Sequence, residues 1–166
     1  MIPLPDPLHP AIVHFPIVLL LLGSLAAVLA ALTPRWHLPW LSAVILAAGA
    51  MGAALATRTG NQQAEMAGEI SERAEALLDE HEEWAERTRT LAFAAAILAL
   101  TAASLARFPK TGRALRAATA LAVAAAGFSV AETGHYGGQL VYKHGVGINP
   151  AAGEKADISP GKNHTK

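Results

Sequence analysis

Seven histidines occur in a chain that has no cysteine, and four of them, His14, His81, His135 and His144, fall near the ends of apolar stretches. Imidazole is a side chain that ligates haem iron, zinc and copper. The lack of cysteine excludes disulfides, thiolate metal sites, iron–sulfur clusters and covalent c-type haem attachment. Any metal or haem would therefore be held by His, carboxylate or Met.

The chain enters its first apolar stretch as HPAIVHFP, with His9 ahead of Pro10 and His14 ahead of Phe15 and Pro16. Pro10 suits a first helical turn, which places His14 about one turn inside the apolar region. An ionisable side chain at that depth points to function, because burying it without a partner is costly. The competing reading is an interfacial histidine bonded to a backbone carbonyl near Pro16. His81 lies on an apolar helical stripe, where it is either a ligand or a packed, hydrogen-bonded side chain. His135 sits in a Gly-rich run that could also be a helix cap and turn. His144 beside Lys143 and His9 at the chain entry fit an exposed position equally well, and His9 is held in reserve as a ligand. His37 reads as an interface residue and His164 as solvated.

Two cofactor types suit imidazoles from distant segments. Haem b would be clamped axially between helices, with Gly and Ala making room for the macrocycle. Zinc or copper would take three or four His with a carboxylate such as Glu132. Two histidines on one helix at i, i+3 or i, i+4 would chelate a bare ion, and no pair has that spacing, which favours haem. Trp84, Tyr136 and Tyr142 would line the pocket, and Glu132 could orient a ligand ring.

The elements that must position these side chains are apolar helices. With 166 residues, 52% of them hydrophobic and 16% charged, and a mean hydropathy of +0.32, the composition belongs to a membrane protein of one domain. Zero net charge gives no reason to expect nucleic-acid binding. Four spans are expected at about 10–32, 38–57, 91–108 and 114–131, the last two near the lower limit for crossing a bilayer. The first lacks the basic flank of a signal peptide and reads as retained. Four spans place both ends of the chain and the segment 58–89 on one side, A. Side B holds two short connections with Arg35, Arg107, Lys110, Arg113 and Arg116 and no carboxylate, so side B is expected to be cytoplasmic and side A periplasmic. Between about 62 and 89, apolar residues recur at three- and four-residue steps through Ile70, Ala74, Leu77, His81, Trp84 and Thr88. That pattern predicts an amphipathic helix on side A. Glycines 134, 137, 138, 145 and 147 predict turns after the fourth span. The membrane domain is expected to cover 1–149, with a disordered tail over 150–166.

HPAIVHFPIVLLLL at the start, TRTGNQQAEMA after the second span, HEEWAERTR before the third, and ETGHYGGQLVYKHGVG at the end resemble the DUF2231 family of bacterial membrane proteins. Members of that family occur beside or fused to Rieske and cytochrome c modules, so the resemblance implies a place near redox chemistry. The matching histidines are His9, His14, His81, His135 and His144. The chain departs from the family pattern at Asn61, where another His or an aromatic residue often follows the TG, and that puts a ligand role for the 60–63 corner in doubt.

The expectation is an all-α protein, a four-helix transmembrane bundle with an additional amphipathic helix on the periplasmic side of a bacterial inner membrane. It would hold one or two haem b groups through His14, His81, His135 and His144. As an electron-transfer protein rather than a stand-alone enzyme, it would connect the quinone pool to a periplasmic cytochrome c or Rieske partner, with no nucleic-acid partner and with a homodimer as an alternative assembly. The alternatives are a zinc- or copper-binding or transport protein and a non-catalytic membrane subunit. Polar side chains at mid-span are few, which weakens transport.

Overall fold

The computed structural model describes residues 8–33, 35, 37–66 and 68–147. The expected tail, His164 with it, lies outside the described residues. Four helices account for nearly all of the rest: α1 (His9–Leu32), α2 (His37–Glu65), α3 (Glu72–Ser104) and α4 (Pro109–His144).

Each helix starts and stops on a local signal. Pro10 and Pro109 occupy the first turns of α1 and α4, where a missing N–H costs nothing. Ser71 caps α3 by accepting from the Ala74 N–H at 3.3 Å, and Glu72 and Glu75 add negative charge to the first turn, where the helix dipole favours it. α4 ends at Gly145, whose left-handed φ of 66° lets the Gly145 and Val146 N–H groups turn back to the carbonyls of Val141 and Leu140.

The helices run alternately up and down, each packed on the next, and α1 closes the ring against α4. Their packing inverts the pattern of a soluble bundle. The core is built from alanines around Leu20, Leu46 and Val123, while Phe15, Leu21, Leu25, Val44, Ile97 and Leu121 face outward. Small residues inside and large apolar ones outside are what a bilayer selects, because lipid offers no penalty to Leu or Phe while small side chains let backbones approach. Gly23 and Gly49 show the approach directly. A Cβ at Gly23 would stand 2.8 Å from the Leu46 side chain, and one at Gly49 would stand 3.0 Å from Leu20.

α1, α2 and α4 are long and apolar enough to cross a membrane. The apolar part of α3, expected to run over 91–108, stops at Ser104 and follows directly on Arg87 and Arg89. The amphipathic segment runs on into the third apolar stretch, as the lack of a Pro to break it leads one to expect, and 72–89 is the first half of α3; two other expectations and its start near 62 are corrected. Its stripe is otherwise as expected, with Ala74 and Thr88 buried and Leu77, Leu78, His81 and Trp84 half-buried. Residues 59–65 extend α2 rather than leading into α3. The Gly-rich run after Ala131 forms no turn until Gly145, because α4 continues through it; Gly134 and Gly138 cost that helix some stability, but the contacts of α4 with α3 outweigh it.

Candidate functional site

Helix lengths fix the level of the site. His9 in α1, Gly60 in α2 and His81 in α3 each lie about 23 residues, roughly 35 Å at 1.5 Å per residue, from the side-B end of their helix. A hydrocarbon core of about 30 Å thus ends close to this level. All three residues, with Thr133 and Gly137 of α4, gather at the side-A surface of the apolar region.

His9 and His81 meet there. Their ring centroids are 6.4 Å apart and their planes cross at 82°. His9 donates from Nδ1 to the Ala56 carbonyl of α2 at 2.9 Å, with Thr59 Oγ1 at 3.3 Å from the same nitrogen. His81 donates from Nδ1 to the Thr133 carbonyl of α4 at 2.9 Å. A carbonyl can only accept, so in each neutral ring the proton is on Nδ1 and the lone pair is on Nε2. This is the tautomer in which histidines bind metals through Nε2, with the other nitrogen held by a backbone oxygen. Burial lowers the pKa of His81; its bond to Thr133 and the nearby Glu82 carboxylate oppose that but do not overcome it. The neutral ring is therefore the form favoured near neutral pH.

Both rings lie against glycine. A Cβ on Gly60 would be 3.0 Å from Cε1 of His9, and one on Gly137 would be 2.9 Å from Cε1 of His81. Below His81, hydroxyls tie α3 to α4. Thr88 donates to Ser129 Oγ at 2.8 Å, Ser129 donates to the Trp84 carbonyl at 3.3 Å, and Thr133 donates to the Ser129 carbonyl at 2.8 Å. This network fixes the turn of α4 whose carbonyl holds His81. Above the pair, Gly147 (φ 79°) lies against the side-chain amide of Gln63, so the segment after α4 folds back over the end of α2.

The other expected site residues lie elsewhere. His14 is exposed and donates from Nδ1 to the Pro10 carbonyl of its own helix at 2.8 Å. Exposed His135 accepts at Nε2 from the Gln139 amide at 2.9 Å and stacks edgewise on Tyr136; Gln139 in turn accepts from Lys143. His144 is half-buried in the last turn of α4, and Tyr142 is 89% exposed. Trp84 packs edge-on against Phe128, with the Arg87 guanidinium over its ring, along an open groove between α3 and α4. The structure thus sets His81 beside the reserve residue His9. Glu132 is not the acceptor for His81; a backbone carbonyl has that part. Among the described residues no group of three or more His, Cys, Asp or Glu could hold a metal ion.

The pairing of His9 with His81 had a signal in the sequence. Both stand at the same distance from the connection that follows their helix, and both have a glycine at the matching level of the next helix.

No curated protein and no solved structure matches the chain. Matched from residue 5 to residue 150, almost its whole length, the chain belongs to the DUF2231 family of predicted membrane proteins.

Proposed function

We propose that His9 and His81 are the protein ligands of one redox centre at the side-A surface of the membrane, and that the protein passes electrons through it. The observation that carries this reading is the ring pair itself, two imidazoles from separate helices with both Nδ1 protons on carbonyls and both Nε2 lone pairs available. The ring centres lie 6.4 Å apart with their planes crossed at 82°, close enough that one metal could draw on both rings.

Haem b would ask the protein for two imidazoles, and His9 and His81 would be the residues to hold it. Bound there, haem would supply a one-electron couple. Zinc needs three or four protein donors, and the described residues offer two at this place; copper(I) accepts two and is the alternative ion. In this reading side A is the periplasmic face, since the five cations of side B have no carboxylate among them. α3 crosses as the helix sheltered between α2 and α4, and the partners are a membrane quinone and a periplasmic cytochrome c or Rieske protein.

A second reading rests on the same hydrogen bonds. Each imidazole joins its helix to the next, so the rings could serve as staples in a non-catalytic membrane subunit. Spectra decide. The protein purified in detergent from haem-producing cells should show a Soret band and, after dithionite, the sharp visible bands of low-spin b-type haem. A colourless preparation with stoichiometric copper would replace haem by copper, and one with neither would leave the staple reading.

A further inference from the structure

The contacts of His9 and His81 are the same contact made twice. In each case an imidazole at the side-A end of one helix donates to a carbonyl of the next helix, Ala56 or Thr133, and lies on the glycine four residues later, Gly60 or Gly137. Adding 72 carries α1 onto α3 and adding 77 carries α2 onto α4. Under those two shifts Pro16 and Gly52, in contact across α1 and α2, become Thr88 and Ser129, which are hydrogen-bonded across α3 and α4.

Burial follows the same rule over part of each helix. On α1, Leu20, Gly23, Ala27 and Ala30 are buried, and so are their α3 counterparts Ala92, Ala95, Ala99 and Ala102. On α2, Ser42, Leu46 and Gly49 are buried, and so are Thr119, Val123 and Ala126 of α4. A small cavity near side B is lined by four such pairs: Ala27 with Ala99, Ala30 with Ala102, Ser42 with Thr119, and Pro39 with Arg116. Lining by both members of every pair is what a cavity on a rotation axis must show. The extra residues at the start of α4 account for the difference between the two shifts.

We infer that the protein is one helical hairpin present twice, the copies related by an approximate two-fold rotation about the bundle axis, and that the His pair stands on that axis with Gly60 and Gly137 as equivalent positioning residues. The two hairpins point the same way, since a rotation about the bundle axis does not exchange its ends. Together with the proposed redox centre, on which this part rests, the axis makes that centre a single metal with two equivalent ligands. Each glycine acts through its histidine, by leaving room for the ring to reach the carbonyl one turn away.

The test uses the full chain in detergent, stripped of metal and labelled with ¹⁵N-histidine. Nitrogen shifts report the tautomer of each ring without any cofactor. Wild type should show His9 and His81 both locked with the proton on Nδ1. Gly60→Ala should release only His9 into a mixture of tautomers, and Gly137→Ala only His81. Gly134→Ala and Gly138→Ala, where a Cβ meets nothing within 4 Å, are controls for folding and should change neither. In cofactor-loaded protein each of the first two variants should lower metal affinity roughly 10- to 100-fold, as loss of a ligand's support does. If either variant leaves its own histidine locked, or the two rings carry different tautomers in the wild type, the inference is overturned. Locked rings that respond as stated in a protein that binds no cofactor would uphold the repeated seats and reject the redox centre.

Discussion

The Nδ1 protons of His9 and His81 are held by carbonyls of neighbouring helices, so whenever these rings are neutral the fold leaves the lone pair on Nε2. If the pair holds a haem as proposed, replacing either ring by alanine should abolish its absorption or turn it high-spin, since one protein ligand is lost. His14→Ala and His135→Ala should leave the spectrum unchanged, because those rings bond within their own helices. Retention of full cofactor and a low-spin spectrum in both His9→Ala and His81→Ala would remove the ligand assignment. The lowered pKa of His81 also has a sign. The unfolded chain, with a histidine pKa near 6.5, takes up the proton before the folded one does, so this residue's contribution to stability is complete above about pH 6.5 and is lost as pH falls toward the folded pKa. Thermal unfolding of the cofactor-free protein should shift downward between pH 7 and pH 5, and less so in His81→Gln.

Helix α4 shows where a sequence reading meets its limit. The run ETGHYGGQLVYKH has three glycines within five residues, and read alone it predicts turns. Its helicity comes from α3, which supplies the hydroxyl contacts of Thr88 and the ring of His81 along one face; these are tertiary contacts that no local window contains. The stripe through Ala74, Leu77, His81, Trp84 and Thr88 was legible because 3.6-residue periodicity states its own burial. His81 was likewise legible as a buried imidazole. Its partner was missed, because the signal for His9, an equal distance from the following connection, lies outside any local window, and His14 has the more membrane-like flanks. Packing between helices gives its own test. Gly49→Ala forces a Cβ to within 3.0 Å of Leu20 and 3.2 Å of its backbone nitrogen, so it should destabilise the bundle by about 1–3 kcal/mol. Thr88→Val, which leaves Ser129 without a buried donor, should cost about 1 kcal/mol. Thermal or denaturant unfolding in detergent reads both, and a Gly49→Ala protein as stable as wild type would mean that α1 and α2 are less closely packed than described.

For the molecule in its membrane, the asymmetry of charge sets an expected topology. Alkaline phosphatase fused at the C-terminus should be active, and the same enzyme inserted near Lys110 should be inactive, because only the periplasm permits its disulfides to form. The reverse result would turn the centre toward the cytoplasm and change its partners.

The connection between α2 and α3 has a different consequence. Gly68 and Glu69 are exposed there, Gly68 at φ 70°, and within the bundle this short segment is all that makes the two hairpins one polypeptide. A specific protease site placed between Gly68 and Glu69 and cleaved in detergent should leave two fragments that migrate together and keep whatever the intact chain binds, as two subunits of a dimer would; fragments that part on cutting would show that the link itself holds the halves in place.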